Sequence, residues 1–174
     1  MKRAVHKILK FITTLIIAVL ALFALVTVCI RMLGIQVYVV LSGSMEPDYP
    51  TGSLIYVKPT EPSMLEIGDV ITFRLSNSTT ATHRIIEVIN NEENTDEVCF
   101  RTKGDANDIP DTMPIESENI IGTPIFTIPY LGYAAKYLQT TSGKYLMVAV
   151  GSAILLLIAV VELTGMNKKH FDNR

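Results

Sequence analysis

Two long uncharged apolar runs stand near the ends of the chain, with a more polar stretch between them. The first extends from Phe11 to Ile30, about 20 residues, the length that a helix needs to cross a bilayer. The second, from Tyr145 to Val161, has about 17 residues and lies at the short end of that range. We therefore predict transmembrane helices at 11–33 and 144–164, separated by one domain of typical size at 34–143.

Within that domain, short segments rich in apolar, β-branched and aromatic residues are separated by turn residues such as Pro50-Thr51-Gly52 and Gly68-Asp69. Many short strands with frequent turns indicate a mainly β domain. The predicted strands are Leu54–Val57, Val70–Leu75, His83–Ile89, Val98–Lys103 and Ile120–Ile128. The predicted polar connections are Ser76–Thr80 and Asn90–Glu97. The apolar and aromatic segment Pro129–Tyr133 fits either a membrane interface or ordinary core packing.

Charge divides the chain in the same way. From Gly34 to Gly143 there are 15 acidic residues and 6 basic ones, a formal net charge of −9. Such an acidic domain argues against nucleic acid as a partner, because phosphate binding needs a basic face. Basic flanks stay in the cytoplasm, so we predict cytoplasmic termini at 1–10 and 165–174 and an extracytoplasmic middle. The flanking basic residues are Lys2, Arg3, Lys7, Lys10, Lys168, Lys169 and Arg174.

The first apolar run is longer than the roughly 7–15 residues of a signal peptide's apolar region, which predicts an uncleaved anchor. Arg31 would mark the outer end of that anchor. Ser44 follows 13 residues later and is therefore expected near the membrane surface. Cys29 lies inside the apolar run and cannot readily reach Cys99, so we predict no disulfide.

A polar, turn-prone hexapeptide, Ser42-Gly43-Ser44-Met45-Glu46-Pro47, directly follows the apolar residues 37–41. A serine hydroxyl becomes a good nucleophile only when a neighbouring base takes its proton. His6 and His170 fall in the predicted cytoplasmic tails, which leaves His83 on the same side as Ser44. A lone histidine on a strand is usually structural, but no other histidine is available to Ser44.

A catalytic histidine also needs an acid that orients its ring and stabilises its cationic form. Acidic candidates cluster in the segment Lys103–Asp111, although such a stretch also fits an ordinary solvated turn. Glu87 is a weaker candidate, because it shares a strand face with His83 but is well separated along the strand.

Four blocks of this sequence resemble, in the same order, those of signal peptidase I, the membrane enzyme that removes secretory signal peptides. Ser42–Pro47 resembles the nucleophile block, and Gly68-Asp69-Val70-Ile71-Thr72-Phe73 is similar to the strand block that follows it. Thr82-His83-Arg84 occupies the place of the general base, and Lys103-Gly104-Asp105-Ala106-Asn107 resembles the last block. The resemblance implies a mainly β, extracytoplasmic catalytic domain flanked by two transmembrane helices.

Histidine at the base position is typical of the endoplasmic-reticulum-type (Ser–His) branch, which includes the SipW-type bacterial enzymes; the common bacterial form has lysine there. The resemblance implies that Ser44 is the nucleophile and His83 the base. It makes Asp111 the partner of His83 and Asp105 a supporting residue of the turn, with these two roles open to exchange. The Ser44 backbone N–H is one candidate for the oxyanion hole, and the Ser42 hydroxyl, which could equally stabilise the turn, is the other.

The implied reaction is acyl transfer from a secretory precursor to the serine, followed by hydrolysis, with no metal or organic cofactor. The resemblance implies cleavage after small residues in an Ala-X-Ala pattern. The substrate is expected to bind in an extended form beside a strand edge. The lipid bilayer is the other expected partner, and the sequence says nothing about accessory subunits.

Two rival functions remain open at this stage. The first is a Ser–Lys peptidase in which Lys58, Lys103 or Lys136 is the base. The second is a catalytically silent two-span membrane protein whose β domain binds a partner. A transpeptidase based on Cys99 is disfavoured, because Cys99 lacks the threonine-rich context of such enzymes.

Overall fold

The structure, a computed structural model, describes residues 2–76, 79–90 and 98–172. The chain divides into two compact units. One consists of Met1–Cys29 with Tyr137–Arg174, and the other is Ile30–Lys136.

The first unit is helical. Helix α1 covers Lys2–Met32, and the last helix, α3, covers Thr141–Asp172. Within them, Lys7–Met32 and Thr141–Val161 are long and apolar enough to cross a membrane. These segments overlap the two helices expected from the apolar runs, and large apolar side chains such as Phe11 and Phe23 are 70% exposed along α1.

In the second unit, the described strands form one antiparallel sheet in the order β1-β2-β7-β3-β4-β5-β6. This confirms the prediction of a mainly β domain. The strands are β1 (Gln36–Val39), β2 (Leu54–Lys58), β3 (Val70–Ser76), β4 (Thr79–Asn90), β5 (Val98–Lys103), β6 (Ile115–Glu116) and β7 (Ile120–Ile128). Short 3₁₀ helices lie at Pro62–Met64 and Ser117–Asn119, and helix α2 covers Leu131–Gln139.

All five predicted strands are present, but the predicted connections are partly wrong. Ser76 ends β3 and pairs with Thr79, the first residue of β4, while Arg74 pairs with Thr80. The backbone ladder continues through these polar residues because its hydrogen bonds do not depend on apolar side chains. Asn90 likewise belongs to β4 and pairs with Val98. The remainder of the predicted connections, 77–78 and 91–97, lies outside the described residues.

The segment Pro129–Tyr133 leads into α2. Tyr130 and Tyr133 are 70% and 55% exposed, so these rings are not core residues. The buried member of the segment is Gly132, whose N–H donates to the Gly52 carbonyl oxygen (N···O 2.9 Å). A Cβ at Gly132 would lie 2.7 Å from the carbonyl oxygens of Gly52 and Ser53, so only glycine allows α2 to approach this closely.

One apolar cluster forms the core beneath β3, β4 and β5. Each of its large side chains contributes roughly 1.5–3 kcal/mol on burial. The buried members are Leu65, Ile71, Phe73, Ile85, Phe100 and Ile115. Ile71 pairs with His83 across β3 and β4, so the candidate base lies on the strand next to the middle of the sheet.

Candidate active site

Ser44 lies in a closed turn between β1 and β2. The turn is held by Glu46 N–H to the Gly43 carbonyl (N···O 3.1 Å) and by Tyr49 N–H to the Met45 carbonyl (2.9 Å). The Glu46–Pro47 peptide bond is cis. Met45 is only 2% exposed, so the residue after Ser44 anchors the turn in the interior while Ser44 stays accessible.

The loop after β5 holds the Ser44 turn from its other side. Ala106 N–H donates to the Ser44 carbonyl oxygen (N···O 2.9 Å), and Asp105 N–H donates to the Met45 sulfur (3.5 Å). The first and last of the four sequence blocks, about 60 residues apart in sequence, are thus joined by direct hydrogen bonds.

His83 on β4 connects the serine to an acid. Its Nε2 lies 3.2 Å from the Ser44 Oγ, and its Nδ1 lies 2.6 Å from Oδ2 of Asp111. A carboxylate has no proton to donate, so Nδ1 carries the hydrogen and Nε2 is free to accept one from the serine. The Phe73 ring meets the imidazole edge-on, with centroids 6.0 Å apart, which restricts the tilt of the ring.

Asp111 lies on the segment between β5 and β6 and is held by one residue of β5. Its backbone N–H donates to the Thr102 carbonyl oxygen (N···O 2.9 Å), and the Thr102 hydroxyl donates to its Oδ2 (2.6 Å). The His83 and Asp111 side chains are 13% and 25% exposed, so their interaction is largely shielded from water.

Asp105, the other aspartate considered as a partner of His83, contacts Arg84 instead. The guanidinium binds both carboxylate oxygens, with Nε···Oδ1 2.9 Å and Nη2···Oδ2 2.7 Å. Arg84 also donates to the Gly68 carbonyl (2.9 Å) and to Asp48 (3.1 Å). The hydrogen bond with Arg84 lowers the pKa of Asp105 below its usual range. Of the two candidate partners for His83, the structure therefore brings only Asp111 to the ring.

The remaining candidates are placed as follows. The Ser42 hydroxyl lies 3.3 Å from the Ser44 hydroxyl. Glu87 forms an exposed ion pair with Arg101 (3.3 Å). In the described part of the chain, the Ser44 hydroxyl is bonded to His83 and Ser42, and to no lysine.

A cleft of about 530 Å³ opens beside this site. Ser44, His83 and Asn107 line its polar part, and the rest is bordered by the end of β1 and the adjoining ends of β3 and β4. Tyr38 stands in its wall, and burial raises the pKa of the phenol. The cleft is large enough for several residues of an extended chain.

The residues that sequence reasoning missed are Thr102 and Asp48. Thr102 belongs to a correctly predicted strand, but nothing in the sequence indicates that its hydroxyl meets a residue of the next loop. Asp48 follows the hexapeptide and reads as a turn residue, whereas its carboxylate binds Arg84. Among the residues that the structure describes, no three histidine, cysteine or acidic side chains are grouped to hold a metal ion.

The chain is similar to known signal peptidases in sequence. A sequence model of the family described as signal peptidase, peptidase S26, matches residues 8–98, more than half of the chain. This range includes both Ser44 and His83.

Individual relatives agree with the family match. Signal peptidase I W of Bacillus subtilis (strain 168) is 48% identical over 82 residues, which are 47% of this chain and 42% of that protein. The signal peptidase complex catalytic subunit SEC11C of Rattus norvegicus is 29% identical over 130 residues, 70% of this chain and 67% of that protein. The match thus spans less than half the length of the Bacillus protein. The chain belongs to the signal peptidase family, peptidase S26.

Proposed function

We propose that this protein is a membrane-bound serine endopeptidase that removes N-terminal signal peptides from secreted precursors. The observation that carries the proposal is the continuous chain Ser44–His83–Asp111, with a hydroxyl–imidazole distance of 3.2 Å and an imidazole–carboxylate distance of 2.6 Å. Family membership supports the same reaction.

In the proposed mechanism, His83 Nε2 takes the proton of Ser44 as its Oγ attacks the carbonyl carbon at the cleavage site. The imidazolium then gives this proton to the leaving amine, which becomes the N-terminus of the mature protein. Water, deprotonated by the same imidazole, hydrolyses the acyl-enzyme and releases the signal peptide. Asp111 keeps the hydrogen on Nδ1 and stabilises the imidazolium.

The oxyanion of the tetrahedral intermediate needs preorganised hydrogen-bond donors, each worth on the order of 10²–10³ in rate. The Ser44 N–H and the Ser42 hydroxyl are the proposed donors. Ser42 is suited to this role because its Oγ lies 3.3 Å from the Ser44 Oγ. An oxyanion that forms next to the Ser44 Oγ would therefore be within reach of the Ser42 hydroxyl. Asp105 is proposed to support the site indirectly, because its carboxylate binds Arg84, the residue that follows His83.

The proposed substrates are precursors still anchored by an apolar segment, because the chain carries two helices long and apolar enough to cross a membrane. The proposed location is the cell membrane, with both termini cytoplasmic and the β domain at 34–143 outside. The volume of the cleft, about 530 Å³, and its border along the strand β1 support binding of an extended peptide. A preference for small residues, in an Ala-X-Ala pattern, is proposed from the family resemblance.

The test is co-expression of a secretory precursor with wild-type protein or with Ser44→Ala, His83→Ala, His83→Lys or Asp111→Asn. We expect the Ser44 and His83 variants to leave the precursor uncut. Asp111→Asn is expected to lower the processing rate by on the order of 10⁴, as in other triads in which the ring loses its orienting carboxylate.

Glu87→Gln is the matched control, since Glu87 is an acid on the same strand as His83 but forms only an exposed ion pair. It should process the precursor at the wild-type rate. Normal processing by Ser44→Ala or His83→Ala would contradict the role given to that residue. A wild-type protein that neither cuts the precursor nor reacts at Ser44 with a serine-directed reagent would instead support a silent, partner-binding protein.

A further inference from the structure

The Thr102 hydroxyl and the ring of His83, the proposed base, contact the same oxygen atom of Asp111. Oδ2 of Asp111 accepts a hydrogen bond from the Thr102 hydroxyl (2.6 Å) and lies 2.6 Å from His83 Nδ1. Because a carboxylate oxygen only accepts, the threonine must be the donor in its bond. Thr102 is fully buried, at 0% exposure, so water cannot replace this donor easily.

Thr102 also forms a second hydrogen bond with Asp111, through the main chain. The Thr102 carbonyl oxygen accepts the backbone N–H of Asp111 (N···O 2.9 Å). Both the main chain and the side chain of Asp111 are thereby fixed to one residue of β5. Thr102 itself is held in register opposite Ile85, two residues from His83 along β4. Asp111 has no helix or strand of its own, so its position relative to the ring depends on these two bonds.

We infer that Thr102 is a positioning residue of the catalytic site, which acts by fixing the orientation of the Asp111 carboxylate toward His83. The inference rests on the proposed function, since it requires that the Ser44–His83–Asp111 chain be the machinery of the reaction. The competing explanation is that Asp111 merely satisfies a buried hydroxyl. In that case, loss of the hydroxyl would change stability but not the turnover of the folded enzyme.

Thr102→Val separates these explanations, because valine has nearly the same shape and carries a methyl group in place of the hydroxyl. We expect kcat on a precursor peptide to fall about 10- to 100-fold, the worth of a hydrogen bond to a charged group. KM should stay within about twofold, because Thr102 does not line the cleft. Thr102→Ser, which restores the hydroxyl, should recover kcat to within about threefold of wild type.

Thr72→Val is the matched control. Thr72 is a buried threonine on β3, 1% exposed, whose hydroxyl bonds to that of Thr82 (2.8 Å) rather than to the acid. It loses the same chemical group at similar burial, so its melting temperature should fall comparably while its kcat stays near the wild-type value. A Thr102→Val enzyme with the kcat of Thr72→Val would overturn the inference.

A double-mutant cycle with Asp111→Ala tests whether Thr102 acts through the carboxylate. Without that carboxylate, Thr102→Val should change the residual rate by less than about threefold, since coupled residues are not additive. An equal loss in both backgrounds would overturn the inference. If Thr102→Val does not accumulate as folded protein, Thr102→Ala replaces it with the same expectations. Failure of the proposed function has a different signature. Either Ser44→Ala or His83→Ala would still process precursor, or the wild-type protein itself would not, whatever the Thr102 variants do.

Discussion

At the scale of single residues, the site depends on a close approach of backbone to backbone at Gly104. A Cβ on this residue would lie 2.6 Å from the Ser44 carbonyl oxygen and 2.8 Å from the Asn107 side-chain nitrogen. The asparagine could rotate away, but the carbonyl belongs to the main chain of Ser44, the proposed nucleophile. The glycine is therefore required by lack of space.

Gly104→Ala should reduce activity strongly, because the loop must move away from Ser44 and break the bond from Ala106 N–H to the Ser44 carbonyl. We expect a loss of at least about tenfold in kcat/KM, since misplacements of about 1 Å near the chemistry cost up to 10²-fold. Overpacking should also lower the free energy of unfolding by about 1–3 kcal/mol. Processing assays and thermal unfolding in detergent measure the two effects.

Gly151→Ala is the control for this prediction, because a Cβ on that α3 glycine meets nothing within 4 Å. It should keep wild-type activity. A Gly104→Ala enzyme that is as active as the control would show that the loop moves without disturbing Ser44.

The site could be anticipated from sequence only in part, and the residues show why. Ser44 and His83 are distinctive, because one lies in a turn-prone block and the other is the lone histidine between the two apolar runs. Asp105 and Asp111 could not be separated, since both are acids in the same loop and only its three-dimensional path decides which reaches the ring. The role of Thr102 could not be predicted from the sequence, because the direction of its hydroxyl depends on a contact with another segment.

At the scale of elements, Arg84 is the point at which separate segments are tied together. It follows His83 on β4, and successive residues of a strand face opposite sides. While His83 contacts Ser44 and Asp111, Arg84 binds Asp105 of the last block, Asp48 after the Ser44 turn and the carbonyl of Gly68. The strand thereby holds the three loops around the site in a fixed relation.

The Arg84–Asp105 pair predicts a pH-dependent stability. Because Arg84 lowers the folded-state pKa of Asp105, the carboxylate contributes stability above its unfolded pKa of about 4, and this is lost as the pH falls through the lower folded value. Asp105→Asn should cost about 1 kcal/mol at pH 7, since the partners are 33% and 21% exposed. The difference should become smaller as the pH falls below about 4. Denaturant midpoints across this range measure it.

Asp108→Asn, an exposed acid on the same loop, serves as the control and should differ little from wild type at pH 7. An Asp105→Asn deficit that stayed constant from pH 7 to pH 3 would mean that its charge is not the cause.

The elements themselves were predictable to the extent that their patterns are long. Strands of five residues or more were identified from β-branched and aromatic content, as at Val70–Ser76. The four-residue β1, the two-residue β6 and the nine-residue α2 were not, since too few positions define a period. Gly132 lets α2 approach the residues just before β2, and such a tertiary contact leaves no local pattern in the sequence.

At the scale of the whole molecule, apolar composition and charge are both segregated along the chain. The segments Lys7–Met32 and Thr141–Val161 are long and apolar enough to cross a membrane, and the 110 residues from Gly34 to Gly143 carry a net charge of −9. Lysine and arginine are retained on the cytoplasmic side of membrane proteins. The proposed topology follows from this bias, and it is what would bring the site to exported precursors.

Single cysteines test that topology in intact cells with a membrane-impermeant thiol reagent. With Cys29 and Cys99 replaced by serine, Met113→Cys should be labelled, because residue 113 is 76% exposed on the β domain. His6→Cys keeps the basic flank unchanged and should be labelled only after the membrane is permeabilised, since translocating its lysines and arginine is disfavoured. Labelling of His6→Cys but not Met113→Cys in intact cells would invert the topology. In that case the site would face the cytoplasm, where no precursor arrives from the translocation channel, so this measurement bears on the proposed substrate as directly as on the orientation.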